Sequence, residues 1–527
     1  MRDISRRALL AAGAALAFAG RAGAQTTAEE PQHGGTLIFS VQGEPDTYDC
    51  HASFSISTLH RLAPHYALLV QVDTERYPQV VGDVAESWTI APDGLTYTFR
   101  LRPDIAFHDG SALTAEDVRA TFERLRNPPA GVVSIRRALF EDVAAIETPD
   151  PRTVVFKLTK PNAAMLTIIA SPWNTLYSAR LMATRPDYPA RHVMGAGPFR
   201  FVEHVPGAHW VGRRYERYHK PGQPYLEGFR VIDVSGTAMV NALAGGQTMA
   251  DFRGVSPAER DRIVATRGAR IRILEAPQTA MQMLSFNTQR PPFDDARVRR
   301  ALSLAIDRWG GVGPISRLTI LGHVGGMLRP GYALARSEPE LTALPGFARD
   351  IAGARAEARR LLAAAGVPNL AFTYTNRNIY TALGIFLIDQ WRQVGVSVRH
   401  DQLDTPPFFA ARRDGNFEVI VDSSNEFIDE PSIQLARFLS HDRSPLNISR
   451  YTDRTLDDLF DRQARATDAA ERLRLIRDFE TRLLTEAYTV PLFWGQRIIP
   501  LAAELRGFTI TPSYYLGQDL AALWLRR

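Results

Sequence analysis

One cysteine, Cys50, stands among 527 residues, lysine occurs only at Lys157, Lys160 and Lys220, and beyond residue 24 no apolar run reaches membrane-spanning length. A single thiol excludes an intramolecular disulfide framework, a cysteine-rich zinc module and an iron–sulfur cluster held by this chain alone. The lysines lie outside any G-x-x-x-x-G-K, and neither H-E-x-x-H nor G-x-S-x-G occurs. Gly195-Ala196-Gly197 lacks the third glycine of a dinucleotide fingerprint. Cys50 and His51 are adjacent, and in extended chain adjacent side chains face opposite ways, so they are poorly placed as nucleophile and base. His33, His51, His60 and His65 lack tight ligand spacing and read as loop and surface histidines. No enzyme, cofactor or metal site is therefore expected.

The remaining composition is that of a large globular protein. Hydrophobic residues make up 45% and charged residues 23% of the chain, enough for a sizeable core, and the length suits two or three domains. The net charge is +5 and the pI about 9.3. Arg2, Arg6, Arg7 and Arg21 against Asp3 account for +3 of this within residues 1–24. Elsewhere the arginines alternate with acids and form no stripe with stacking aromatics, which removes a nucleic-acid partner.

Those first 24 residues have the three parts of a secretory signal: a basic start, an apolar run from Ala8 to Gly20, and Ala22-Gly23-Ala24 as a small-x-small cleavage site. The run covers about 20 Å as a helix, short of the ~30 Å hydrocarbon core. Ser5-Arg6-Arg7-Ala8-Leu9-Leu10 resembles a twin-arginine export signal. With no cysteine at the cleavage point, a lipid-modified terminus is not available. The expected location is the periplasm, after cleavage following Ala24.

Thr36–Val41 reads as a strand, strand-rich stretches lie around Thr153–Leu158 and from Gly197 to Val211, and period-two alternation predicts a hairpin of Trp88–Ile90 with Tyr97, Phe99 and Leu101 across Pro92-Asp93-Gly94. Thr114 and Asp117 form a capping box for a helix through Val118, Phe122 and Leu125. Asp294 is expected to cap a helix burying Val298, Ala301, Leu302, Ala305 and Ile306, with Arg297, Arg299 and Arg300 solvated. Later, helices at Ala356–Ala365, Ala382–Val394 and Ala469–Ala487 alternate with strands at Leu370–Thr375, Val396–Gln402, Phe417–Asp422 and Val490–Trp494, the pattern of a partly parallel α/β sheet.

Several segments together resemble the extracytoplasmic solute-binding proteins of ABC importers, family 5, which include oligopeptide, dipeptide, nickel and haem receptors. They are Val84-Ala85-Glu86-Ser87-Trp88 through Phe107-His108-Asp109-Gly110 to Leu113–Val118, then Gly195-Ala196-Gly197-Pro198-Phe199, Phe286-Asn287-Thr288, Pro291–Asp295 and Val490-Pro491-Leu492-Phe493. The resemblance implies an α/β, two-lobed clamshell with an extra α+β domain that closes on a ligand by hinge motion. By that analogy one lobe comprises residues 34–70, 195–282 and 495–527, the added domain 71–194 and the second lobe 283–494, with hinges near Met283 and Trp494. It also implies a monomer with two partners, a small-molecule or peptide-like solute and inner-membrane ABC permease subunits.

Peptide-binding relatives pair an aspartate of a W-x-x-D-x-x-D-P stretch with the peptide amine. Here the matching stretch, Ser424 to Pro431, has Ser424 for the tryptophan and Phe427 for that aspartate, so a free amine needs Glu426 or Asp429 instead. The candidate ligand-binding residues are Ser53, Phe54 and Ser55 after the first strand, Trp173 and Asn174 beside Pro172, Arg377, Asn378 and Tyr380 before a helix, Asp422, Ser424, Glu426 and Phe427 at a strand end, and Trp494 at the hinge. The expected ligand is a small organic solute, whether peptide-like, opine-like or otherwise amphipathic. The alternatives are a true oligopeptide, dipeptide or metal-chelate receptor for nickel or haem, and further off an exported hydrolase or chaperone.

Overall fold

The computed structural model describes residues 29–527, so the leader read at residues 1–24 lies outside the described residues. An eleven-stranded mixed sheet runs through the molecule. Thr36–Val41 forms as predicted and pairs in parallel with Gly228–Asp233 on one side and Ala250–Asp251 on the other, burying Leu37, Phe39 and Val41. His209–Arg214 and Phe199–Val205 extend that end antiparallel. At the opposite end Ala371–Arg377 lies in parallel between Ser397–Leu403 and Val419–Asn425. The alternation of strands with the helices Ile351–Ala364 and Thr381–Arg392 produces this parallel unit, as the sequence pattern implies.

Two long strands join the ends. Ile271–Phe286, of 16 residues, pairs antiparallel with Thr489–Ala502, of 14. The first pairs with Val419–Asn425 only from Ala280 onward, and the second meets Ala250 through Leu501. Each strand therefore serves one lobe with one half and the other lobe with the other half. The Val490–Trp494 strand of the sequence reading is the first part of this longer element, whose continuation through Arg497 and Pro500 hides the pattern.

Separate apolar clusters mark the lobes and the added domain. Phe39, Trp210, Phe229 and Leu501 anchor the first lobe, and Phe286, Phe293, Leu302, Trp391 and Phe493 the second. The added domain is a four-stranded antiparallel sheet, in the order Ala85–Ile90, Thr96–Leu101, Thr153–Leu158, Val143–Asp150, packed through Phe99 and Phe156 on Phe122. That phenylalanine sits on the helix Ala115–Arg126, whose Thr114–Asp117 capping box is present. Among the described residues no helix is long and apolar enough to cross a membrane.

Four local expectations are corrected. The cap of Ala296–Leu304 is Asp295, which accepts from the Arg297 amide at 2.8 Å, because a turn closed from Asp295 to Pro292 delays the helix by one residue. Arg299 is buried, donating to the carbonyls of Phe293, Asp294 and Glu486, and so is not a solvated charge. Cys50 and His51 lie on a 3-10 turn, Cys50–Ala52, rather than in extended chain, and both are buried. Burial pushes the Cys50 thiol up to about 12 and the His51 imidazole down to about 3, so at neutral pH the thiol is protonated and the imidazole is neutral. His60 and His65 are also buried, not surface groups, and are held neutral by desolvation, each near 3. Trp210 Nε1 can only donate, so it fixes His65 Nε2 as acceptor (2.9 Å), leaving Nδ1–H to donate to the Phe199 carbonyl at 2.8 Å.

That histidine explains the Gly195-Ala196-Gly197 motif. The Gly197 amide donates to the His65 carbonyl at 3.0 Å, and a Cβ on Gly197 would lie 2.4 Å from the Tyr66 nitrogen and 2.5 Å from the His65 carbonyl carbon. Backbone on backbone cannot yield. Gly197→Ala is expected to cost ~3 kcal/mol or more, whereas Gly245→Ala, with open space around its Cβ and a helical backbone, is neutral or stabilising. Thermal denaturation of the two variants checks this; an unchanged melting temperature in Gly197→Ala would contradict it.

Candidate functional site

Where the two long strands cross between lobes their pairing is interrupted. Pro277 pairs with Gln496 and Met281 with Trp494, so Gln278, Thr279 and Ala280 stand opposite the single residue Gly495. Such a bulge re-aims side chains. Gln278, Ala280 and Gln282, alternate residues on one face, line a cavity of about 410 Å³ together with Gly495 and Arg497. That volume falls within the roughly 300–1,000 Å³ of small-molecule sites.

Both lobes supply its walls. From the first come Arg253, Gly254 and Val255, the turn after Ala250–Asp251. The turn is locked because the Asp251 carboxylate accepts from the amides of Arg253 and Gly254, each at 3.1 Å, and from Ser40 Oγ at 2.9 Å, while the Val255 amide donates to the Ile498 carbonyl. From the second lobe come Ile379, Tyr380 and Leu383 after the strand Ala371–Arg377, and Ser423, Ser424 and Asn425 at the end of Val419–Asn425. Tyr514 crosses between the lobes: its carbonyl meets His60 Nε2 at 2.8 Å, and Asn425 Nδ2 donates to its hydroxyl. An adjoining cavity of about 290 Å³ shares Arg253, Gly254, Val255 and Ile320 and extends along Gln42, Ser235 and Met239. A separate cavity of about 360 Å³ lies between the hairpin Val70–Gly82 and residues 507–523, lined by Asp83, Lys220 and Asp519.

Of the residues the sequence singles out, Tyr380 and Ser424 face the larger interlobe cavity. Phe54, Arg136, Trp173 and Tyr515 form a second group: the Arg136 guanidinium lies 5.2 Å from the Phe54 ring centroid and 4.6 Å from that of Trp173, with Tyr515 5.9 Å from Trp173. Phe54 is 67% exposed, whereas Trp173 and Asn174 are buried, the Asn174 amide donating to the carbonyls of Ile168 and Ile169. Ser53 is buried and donates to Asp46, and the Ser55 hydroxyl pairs with that of Ser57. Arg377 lies over the rings of Tyr380 and Phe409, and Asn378 donates to Asp404. Asp422 is committed to Arg412 at 3.1 Å and Arg437 at 3.0 Å. Phe427 packs into the added-domain cluster, and Trp494 is buried with Nε1 donating to the Gly326 carbonyl. Trp173, Asn174, Asp422, Phe427 and Trp494 are thus occupied by the fold.

The two acids offered as substitutes for the amine-binding aspartate, Glu426 and Asp429, differ in their surroundings. Asp429 is satisfied by Arg329 at 2.7 Å, the Tyr77 hydroxyl at 2.8 Å and Gln434 at 3.2 Å. Glu426 has no hydrogen bond among the described residues; burial raises its pKa, and only the nearby Arg437 charge opposes this. The sequence reading missed Arg253, Gln278, Gln282, Asn425 and Tyr514. Its available signal was the pair of glutamines at i and i+4 in the largely apolar Ala276–Phe286, amide groups that a buried strand does not accept without a partner.

A family model described as bacterial extracellular solute-binding proteins, family 5 middle, matches residues 79–445. The chain belongs to this family. The glutathione-binding protein GsiB of Escherichia coli (strain K12) is 25% identical over 446 residues, spanning 81% of this chain and 83% of its own length. The structure of the binding protein AgaA from A. tumefaciens R10 in complex with agropinic acid matches with a TM-score of 0.77 at 25% identity, covering 94% of this chain and 99% of that one. The periplasmic binding protein DppA of Helicobacter pylori, in complex with the peptide STSA, shares the fold with a TM-score of 0.78 at 20% identity over 94% of this chain and 99% of that one.

Glu426 gives a pH prediction. Its native pKa lies above the ordinary value of 4.5, so as pH rises through that interval the unfolded chain releases a proton the native state retains, and stability falls. Glu426→Gln should therefore melt higher than the parent at pH 7.5 and converge with it near pH 4. Equal melting temperatures at pH 7.5 would contradict the assignment.

Proposed function

We propose that this chain is a periplasmic receptor that captures a small organic solute between its lobes and presents it to the permease of an ABC importer. The observation that carries this is the interlobe cavity of about 410 Å³, walled by Arg253 and Val255 on one side and by Tyr380, Ser424 and Asn425 on the other. A solute held there touches both lobes, and a ligand that contacts both favours the closed arrangement by its differential contacts, with no bond made or broken. Leu318, Ile320 and Ile379 sit exposed at the mouth, apolar surface that closure removes from water.

The proposed division is residues 34–70, 195–282 and 495–527 for the first lobe, 71–194 for the added domain and 283–494 for the second, with the hinge at the Pro277–Met281 bulge. Export follows the leader at residues 1–24, read as twin-arginine type. The ligand class draws on the relatives: glutathione, agropinic acid and a tetrapeptide are all small, polar and acid-bearing. A peptide with a free amine is the second reading, favoured by Glu426, the one carboxylate of its stretch left without a hydrogen bond.

The added domain participates in closure through Tyr77, whose hydroxyl donates to Asp429 and accepts from the Asp429 amide, each at 2.8 Å. A thermal-shift panel of peptides, glutathione and opines should contain stabilising members that are recovered unchanged; product formation would refute the receptor reading. For the best-bound member, Tyr77→Phe should raise the dissociation rate roughly three- to tenfold, the worth of one or two hydrogen bonds. An unaltered rate in stopped-flow displacement would remove Tyr77 from the closing contacts.

A further inference from the structure

We infer that the cleft anchors the carboxylate of an acidic solute on the first lobe, at Arg253, with the amides of Gln278 and Gln282 taking the hydrogen-bond donors of the same molecule. The inference rests on the receptor reading above and specifies what that receptor recognises.

Charge is the first observation. No aspartate or glutamate lines the 410 Å³ cavity, whereas two guanidinium groups do, Arg253 and Arg497. Arg497 is fully buried and spends its donors on the carbonyls of Thr511, Ser513 and Phe252, without a carboxylate partner. Arg253 is exposed, forms no ion pair among the described residues, and makes one side-chain contact, to Gln42 Oε1 at 3.1 Å. Two acids flank this turn in sequence, and neither forms an ion pair with Arg253, although the Arg253 charge does act on Asp251. Asp251 caps the Arg253 turn through backbone amides and Ser40, and Glu259 closes the capping box of Ser256 through the serine amide and hydroxyl, both at 2.8 Å. The lining of the cavity is therefore cationic, with Asp251 behind the Arg253 turn offsetting part of that charge, and a carboxylate placed in the cavity gains from the two arginines.

Unsatisfied polar atoms are the second, independent observation. Gln278 and Gln282 are 5% and 7% exposed, line the cavity, and have side-chain oxygens with no hydrogen-bond partner. A buried amide oxygen left unpaired is unfavourable, and a ligand bearing N–H or O–H groups recovers the lost hydrogen bond. Gly495 makes the room: a Cβ there would lie 2.6 Å from Gln278 Oε1. Anion anchor and amide acceptors together describe a hydroxylated or amide-bearing carboxylic acid, with its acid end toward the first lobe.

The test uses matched probes on the leader-free full chain: glutathione and a set of dipeptides, each as free acid and as C-terminal carboxamide, with agropinic acid added. Affinity is read by calorimetry and stabilisation by thermal shift. The expected result is that the best free acid binds at least tenfold more tightly than its carboxamide, that Arg253→Gln abolishes this preference while leaving the ligand-free melting temperature unchanged, and that Arg253→Lys restores part of it. Gly495→Ala should weaken acid and carboxamide equally by displacing Gln278. Equal binding of acid and carboxamide, or an acid preference that survives Arg253→Gln, overturns the anchor and leaves the receptor reading intact. A panel without any stabilising member overturns both.

Discussion

The structure depends on two antiparallel strands that change allegiance midway. Ile271–Pro277 pairs with Gln496–Ala502 within one lobe and Met281–Ser285 with Thr489–Trp494 within the other. Three residues facing one at the junction interrupt the ladder, a second register shift follows between Gln282 and Met283, and these irregularities lie at the floor of the cleft beside Gln278 and Gln282. The interruption is compensated locally: the Thr279 amide, which loses its ladder partner, donates to the Pro512 carbonyl at 3.0 Å. The C-terminal segment is thereby tied to this junction, and Tyr514 reaches from it to both His60 and Asn425.

Around this junction the protein uses arginine where other proteins use carboxylate pairs or water. Arg308, buried without any acid, donates to the carbonyls of Pro491, Ser303, Ile306 and Gly346. Arg299 and Arg497 also donate to several backbone carbonyls, Arg299 with Glu486 at 4.0 Å, and desolvation lowers all three, Arg308 and Arg497 to about 9, still charged at neutral pH. Five donors in a rigid plane can satisfy several irregular carbonyls at once, which a lysine cannot. This gives a physical reason for the scarcity of lysine: the basic side chains are structural hubs as well as surface charge. Arg253 differs from them because its donors are left largely free in the cleft.

Much of the fold is legible in the sequence because it is local. The Thr114–Asp117 box, the Pro92-Asp93-Gly94 hairpin and the strand Thr36–Val41 ended by Gly43-Glu44-Pro45-Asp46 are each set by residues a few positions apart, and each forms where it is expected. The candidate site is legible only in part. Tyr380 and Ser424 are placed by loops that follow strands, a rule of position that sequence carries. Trp173, Phe427 and Trp494 are buried by partners distant in sequence, a placement that no local pattern carries. Arg253 and the two glutamines become a site only through a bulge between strands more than 200 residues apart, for which no local pattern exists. The buried histidines illustrate the same limit, since Trp210 and Phe199, far along the chain, make His65 a core residue.

The most direct measurement is a crystal structure of the protein isolated with its natural solute retained. Solute in the interlobe cavity, touching Arg253 or Val255 on one side and Tyr380, Ser424 or Asn425 on the other, is the predicted result. Solute bound to a single lobe, or seated instead in the cavity lined by Lys220 and Asp519, would contradict a receptor that closes across the two shared strands.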